Sequence, residues 1–128
     1  MRYTLLLQYP EMTEEQLDPD AIADAMREFD QYAKALDAAG ILASAEVLRP
    51  SALTTTVRRG EGGELLVQDG PFADTKEQLG GTFVIEVGDL DTAIDWAGKA
   101  PSIGWGAVEI RPTATRFVDG EWLMFEYS

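Results

Sequence analysis

The chain has neither cysteine nor histidine among its 128 residues. The missing cysteines exclude disulfides, zinc–thiolate sites and thiol nucleophiles. The missing histidines remove the most common general base and metal ligand, so a Ser-His-Asp triad cannot be formed from this chain. Acid–base chemistry is therefore limited to Asp, Glu, Lys or Tyr, or to a group that a ligand supplies. Because no Asp/Glu spacing is typical of a calcium loop, the sequence predicts no metal site, and it predicts no cofactor.

Basic residues are also few: ten Lys and Arg stand against 23 Asp and Glu, which gives a formal net charge of −13. A phosphate-binding surface needs clustered Lys and Arg, so we expect no nucleic-acid partner and no anionic membrane partner. The apolar run in the N-terminal "MRYTLLLQYP" is too short for a signal peptide or a membrane span. We expect a cytoplasmic protein that forms a single domain over residues 1–128, because this length fits one hydrophobic core.

Strand and helix patterns succeed one another along the chain. Alternating side chains over residues 3–9 predict a first strand, and Asp18-Pro19 predicts the start of a helix that ends before Gly40. The expected core stripe of this helix is Ile22, Met26, Phe29, Ala33 and Leu36. Further predicted elements are strands at 41–49, 53–59, 64–68, 82–87 and 107–111, a helix after Asp89 with the stripe Leu90, Ala93, Ile94 and Ala97, and a closing hairpin at 113–127 with the turn Asp119-Gly120.

This order predicts an α+β fold of the ferredoxin-like βαββαβ type, in which a layer of two helices covers one face of an antiparallel sheet. One extra hairpin, with its turn in "GEGG" at residues 60–63, precedes the Asp69 loop, and a second follows the last core strand. The sheet face away from the helices is expected to be a mixture of apolar and polar side chains. The residues of this face are Thr4, Leu6, Gln8, Thr82, Val84, Glu86, Ala107, Glu109 and Arg111. A second protomer could cover such a face and leave a semi-polar cavity, whereas antiparallel sheets also tolerate a solvated face.

The segment "DGPFADTKEQLGG", residues 69–81, is the least typical of ordinary core packing. Asp69 is either an acceptor for backbone N–H groups of its own turn or a general acid or base in a dimer cleft. Phe72 is expected to be a core plug, with a ligand-stacking wall as the alternative. Lys76 and Glu77 are either solvated charges or ligand contacts. The glycine pair 80–81 permits a positive φ or a close approach by a ligand or another strand.

Two other residues complete the set of candidates. Arg111, at the end of a predicted strand, suits a ligand carboxylate or phenolate, or a salt bridge with Glu86 or Glu109. Gln8 lies on the same semi-polar face and is a candidate ligand contact. The aromatic residues Tyr9, Tyr32 and Trp105 are expected in the core, with a pocket wall as the alternative.

Together, these segments resemble the DGPF-motif branch of the YCII-related family. The resemblance rests on the signature "DGPF" at residues 69–72, the continuation "TKEQLGG", Trp96 in the second helix, Pro101, and the ending "EIRP" at residues 109–112. It implies a ferredoxin-like fold and a homodimer whose two sheets form a dimeric α/β barrel. Shorter members of the family have a His–Asp pair proposed as an active site, with the His on the first helix. The matching stretch here lies near Glu28 and Phe29 and has no His, so that chemistry cannot be transferred.

Two functional hypotheses follow. The first is a small-molecule-binding protein or enzyme with its site in the dimer cleft, where Asp69 would be the acid or base of a lyase-like or isomerase-like proton transfer. Its candidate ligand contacts are Lys76, Glu77, Arg111, Gln8 and Phe72. The second hypothesis is a non-catalytic accessory or regulatory module, because the resemblance implies association with an extracytoplasmic-function sigma factor. The sequence does not decide between an enzyme and such a module.

Overall fold

The computed structural model describes residues 1–12, 16 and 18–126. Its regular elements follow one another in the predicted order. They are β1 (Arg2–Pro10), α1 (Pro19–Ala38), β2 (Leu42–Val47), β3 (Thr55–Arg59), β4 (Leu65–Asp69), β5 (Glu77–Glu86), α2 (Leu90–Ala97), β6 (Ala107–Pro112), β7 (Thr115–Val118) and β8 (Glu121–Met124). Short 3-10 turns at Ser51–Leu53 and Pro101–Gly104 lie before β3 and β6.

Four strands form an antiparallel sheet in the order β2-β5-β1-β6. This order, with α1 between β1 and β2 and α2 between β5 and β6, is the ferredoxin-like α+β arrangement that the sequence predicts. The pairs β3–β4 and β7–β8 form separate two-stranded sheets, which confirms both additional hairpins. At the tip of the second hairpin, Asp119 and Gly120 have φ of 53° and 82°, as a tight Asp-Gly hairpin turn requires.

Both helices begin at the predicted caps. The Asp18 carboxylate accepts a hydrogen bond from the Ala21 N–H at 2.7 Å, and Pro19 follows as the first residue of α1. The Asp89 carboxylate accepts from the Thr92 N–H at 2.8 Å and begins α2. These bonds satisfy N–H groups that have no partner within a helix. Hydrogen bonding by Thr92 holds the pKa of Asp89 below its ordinary value.

The core lies between the two helices and one face of the sheet. Its strand residues alternate in sequence and share that face, as the period of two predicts: Tyr3, Leu5, Leu7, Phe83 and Ile85, each at most 1% exposed. From the helices, Leu36, Ala93 and Ala97 are buried against them. Tyr32 belongs to this core too, where its hydroxyl donates to the Trp96 carbonyl at 2.8 Å and its ring packs edge-on against Phe83.

Some element bounds differ from those predicted. The main difference is β5, which begins at Glu77 instead of residue 82, because residues 77–81 also pair with β1. The pairing passes from Leu7↔Gly81 directly to Gln8↔Leu79, so Gly80 is the extra residue of a β-bulge. The second strand of the closing hairpin ends at Met124, and the predicted residue 127 lies outside the described part of the chain.

The glycine pair at this bulge serves close packing. A Cβ on Gly80 would overlap the Tyr9 ring, and a Cβ on Gly81 would lie 2.9 Å from the Glu46 carbonyl oxygen of β2. Of the two roles that the sequence left open, close approach is therefore the correct one. The space that Gly80 leaves is occupied by a side chain of the same chain.

Candidate functional site

The loop between β4 and β5 begins with a turn at Gly70, where φ is +102°, a conformation that favours glycine. The Gly70 N–H donates to the Thr54 carbonyl at 2.7 Å, and the Thr56 hydroxyl donates to the Gly70 carbonyl at 2.7 Å. The prediction that the Asp69 carboxylate accepts N–H groups of its own turn is wrong. That carboxylate is exposed and accepts no hydrogen bond from the residues that the structure describes, and the turn is bound instead by the Thr54 carbonyl and the Thr56 hydroxyl.

The second half of the loop is held by Gln78. Its side-chain amide donates to the Thr75 carbonyl at 3.0 Å and reaches the Ala73 carbonyl at 3.3 Å. The Thr75 hydroxyl in turn donates to the Glu77 carbonyl. The loop therefore has a defined shape although most of its side chains are exposed, and the sequence did not predict that Gln78 holds it.

A cleft of about 660 Å³ lies between this loop, the end of β1 and the connection from β2 to β3. We call it the loop cleft. Its wall is of mixed polarity and includes Gln8, Arg49, Thr54, Thr56, Phe72, Glu77 and Gln78. Three of the six predicted site residues thus come together here: Gln8, Phe72 and Glu77.

The other three predicted residues do not line the loop cleft. Asp69 is the last residue of β4 and pairs with Thr55 across the hairpin, and Lys76 is exposed at the end of the loop. Arg111 pairs with Thr4, four residues along β1 from Gln8, which corresponds to about 13 Å at 3.3 Å per residue. Within the described residues Arg111 has no ion-pair partner, and Glu86 instead binds Arg2 at 2.8 Å.

The expectation that Phe72 is a core plug is wrong. Its side chain is 76% exposed and belongs to the wall of the loop cleft. An exposed phenylalanine beside polar side chains fits the other role that the sequence allowed for Phe72, a wall on which a flat ligand stacks.

A second concave surface lies on the other side of the sheet, between the N-terminal half of α1 and the ends of β1, β2 and β5. It has a volume of about 620 Å³ and is mainly apolar. We call it the helix-side groove. Tyr9 and Trp105 form one of its ends, with their ring centroids 4.7 Å apart in an edge-on arrangement. The sequence placed these aromatics in the core with a pocket wall as the alternative, and the alternative is correct for this pair.

Metal and membrane sites are the remaining possibilities. Within residues 1–12, 16 and 18–126, no three acidic side chains are grouped so that they could hold a metal ion. None of the helices in the same part of the chain combines the length and the apolar character that crossing a bilayer demands.

Comparison with known proteins agrees with the fold and with the motifs. The family model of the YCII-related domain matches residues 1–115. The chain belongs to the YCII-related family. An uncharacterized protein of Rhizobium meliloti (strain 1021) is 37% identical over 91 residues, which cover 70% of this chain and 73% of that protein. Membership of the DGPF-motif branch stays a prediction from the motif, and the match ends at the first residue of the β7–β8 hairpin.

Proposed function

We propose that this YCII-related protein is a homodimer that binds a small molecule in the loop cleft. The proposal of a dimer is supported by the sheet face that neither α1 nor α2 covers. Thr4, Leu6, Thr82 and Val84 alternate with the buried core residues and are only half-buried. The two hairpins expose further large apolar residues, among them Val57, Leu65 and Val67 on one and Phe117, Trp122 and Met124 on the other. So much exposed apolar surface is typical of a protein that has a partner.

The observation that best supports a ligand site is the position of Phe72. Its exposed ring faces a cleft whose other walls provide amide, hydroxyl and carboxylate groups. A flat ring with one polar substituent fits this combination, because the ring can stack on Phe72 while the substituent hydrogen-bonds to Gln8 or Thr56. Small phenols and aromatic carboxylates are the corresponding compound class.

Glu77 is the acid or base of the proposed site. It is the carboxylate in the wall of the cleft, whereas Asp69 lies outside that wall. Because the chain has no histidine and no cysteine, proton transfer to a bound ligand falls to Glu77. A lyase-like or isomerase-like step needs an acid or base such as the Glu77 carboxylate within hydrogen-bond reach of the transferred proton. A protein that only binds the ligand needs no such group.

Titration with catechol and benzoate, followed by NMR of the ligand signals, tests the proposal. We expect Phe72→Ala to weaken binding at least fivefold, because the stacking surface is lost. The control variant is Ile94→Ala, which shortens a half-exposed apolar side chain on α2, away from the cleft. If neither compound binds the wild-type protein, or if the two variants bind equally well, the proposed ligand site is wrong.

The alternative is a regulatory module that binds an extracytoplasmic-function sigma factor. The net charge of −13 and the apolar residues of the two hairpins favour a protein partner with a basic rim around an apolar patch. Gel filtration of the protein mixed with such a sigma factor distinguishes the two. Co-elution that Trp122→Ser abolishes and Phe72→Ala does not would favour the module over the ligand site.

A further inference from the structure

The helix-side groove is present because no described residue covers half of the predicted core stripe of α1. Along α1, Phe29 and Leu36 pack into the core, but Ile22 is 42% exposed and Met26 is 68% exposed, although both lie at the same helical spacing. On the opposite wall, Val47 and Leu48 of the β2 end are also about half exposed. Large apolar side chains at core spacing normally pack against one another, so the separation of these two walls leaves a concave apolar space.

One end of the groove is shaped by glycines. The Tyr9 ring lies over Gly80, and its backbone lies against Gly106, where a Cβ would come within 2.8 Å of the Tyr9 Cβ. Trp105 packs edge-on against the same ring. The aromatic end wall is therefore held in position by the backbone of two other segments, and it does not depend on a flexible side chain for support.

The Tyr9 hydroxyl is a polar group of this end wall. It makes no hydrogen bond to the residues that the structure describes. Burial, with a smaller contribution from the Glu11 carboxylate, raises the pKa of Tyr9, so the phenol is neutral at physiological pH and can donate. Glu11 itself is occupied, since its two oxygens accept from the Ser51 N–H at 2.8 Å and from the Ser51 hydroxyl at 3.0 Å.

The charges of the lining indicate what kind of molecule the groove accepts. Three carboxylates, those of Glu11, Asp30 and Glu46, and one guanidinium, that of Arg49, belong to it. This excess of negative charge, in a chain of net charge −13, disfavours an anionic amphiphile such as a fatty acid. A volume of about 620 Å³ is in the range of pockets that hold a multi-ring small molecule.

We propose that the helix-side groove is a binding site for a neutral, flat apolar molecule with a hydrogen-bond acceptor at one end. Its rings lie between Met26 and Leu48, and its acceptor receives the hydrogen bond of the Tyr9 hydroxyl. This site is separate from the loop cleft and does not rest on the function proposed for it. The two surfaces share Leu48, Arg49, Pro50 and Leu79 as a common wall. Tyr9 and Met26 line the groove alone and Phe72 lines the loop cleft alone, so the two sites are expected to respond to different substitutions.

Nile red is a suitable probe, because it is neutral and flat, has a carbonyl acceptor, and changes its emission with polarity and hydrogen bonding. We expect saturable binding of one dye per chain to the full-length protein. Met26→Asp, which puts a charge on an exposed helix position inside the groove, should weaken binding at least tenfold. The matched control is Ile94→Asp, which makes the same kind of change on α2 outside the groove and should leave binding within twofold of the wild type.

Tyr9→Phe tests the polar end, since it removes the hydroxyl and keeps the ring. We expect a three- to tenfold loss of affinity and a blue shift in the emission of the bound dye, because the carbonyl loses its hydrogen bond. Phe72→Ala should change neither quantity, which separates this site from the loop cleft. The proposal is overturned if the dye does not bind, if Met26→Asp binds as well as the wild type, or if Ile94→Asp loses as much affinity as Met26→Asp. It is also overturned if Tyr9→Phe leaves both affinity and emission unchanged.

Discussion

The two faces of the central sheet differ although they are formed by the same four strands. On the face toward the helices, Leu5 and Phe83 are at most 1% exposed, and two aromatic rings of α1 pack against Phe83. On the other face, their strand neighbours Leu6 and Val84 are only half-buried. A single chain therefore buries one face of the sheet in a core and leaves the second face only partly buried. Both candidate ligand sites lie at the edge of this sheet where β1 and β2 end and β5 begins.

Apolar content alone does not determine which residues form the core. Leu6 is as apolar as Leu5, and the alternation of the strand decides which of them contacts a helix. Residues of the uncovered face are then free to contact a second protomer or a ligand. Substitutions in matched positions test this division.

Leu5→Ala and Leu6→Ala form the first matched pair. Leu5→Ala should lower the free energy of unfolding by about 3 kcal/mol, since it leaves a cavity in a fully buried position. Leu6→Ala should cost less than about 1 kcal/mol in the monomer and instead weaken association. Urea unfolding at several protein concentrations measures both effects, because the stability of a dimer depends on concentration. Equal losses at low protein concentration would remove the distinction between the two faces.

Gly80→Ala tests the packing at the β-bulge. Because the new Cβ would overlap the Tyr9 ring, we expect the free energy of unfolding to fall by about 2 kcal/mol and the helix-side groove to lose its end wall. Gly88→Ala is the control, since its Cβ would meet no atom within 4 Å and its φ is not positive. Thermal unfolding and Nile red titration should show both losses in the first variant and neither in the second.

Gly70→Ala tests the turn that directs Phe72 into the loop cleft. At φ of +102° an alanine is strained, so we expect a loss of about 1–2 kcal/mol in the free energy of unfolding, although the Cβ itself has space. Binding of catechol or benzoate should weaken as well, while Nile red binding should not change. A variant as stable as the wild type would show that the turn tolerates a different backbone conformation.

Alkaline unfolding tests the completed side of the sheet. Burial raises the pKa of Tyr32 to about 12, above an unfolded value of about 10. The folded state therefore keeps the proton to higher pH. The stabilising contribution of this group is complete below pH 10 and is lost as the pH rises through 12, with about 1 kcal/mol lost by pH 11. Tyr32→Phe should make the decline between pH 9 and 11 shallower, as measured by urea unfolding at each pH. A slope unchanged by the substitution would contradict the assignment.

Local sequence signals sufficed for most of the fold. The caps Asp18 and Asp89, the turn Asp119-Gly120 and the alternation of β1 each determine backbone geometry through neighbouring residues, so the element order and the ferredoxin-like arrangement could be predicted. The start of β5 could not be predicted from local signals, since residues 77–81 join the sheet through a bulge. That bulge depends on Gly80 meeting Tyr9, which is 71 positions away in the sequence.

The site was only partly predictable for the same reason. Gln8, Phe72 and Glu77 line one cleft, but the turn at Gly70 is bound by Thr54 and Thr56, which lie 16 and 14 positions before it in the sequence. The helix-side groove was missed because the stripe of α1 follows a core pattern along its whole length. Only the structure reveals that nothing among the described residues covers Ile22 and Met26.

The most direct test of the account is the mass of the protein in solution, measured by sedimentation equilibrium for the wild type and for Leu6→Asp. If a second copy covers the helix-free face, the wild type has twice the 14.0 kDa chain mass, and the variant is a folded monomer with an unchanged far-ultraviolet circular dichroism spectrum. A wild-type protein that is monomeric at all concentrations, or a Leu6→Asp variant that dimerises as tightly as the wild type, would contradict it.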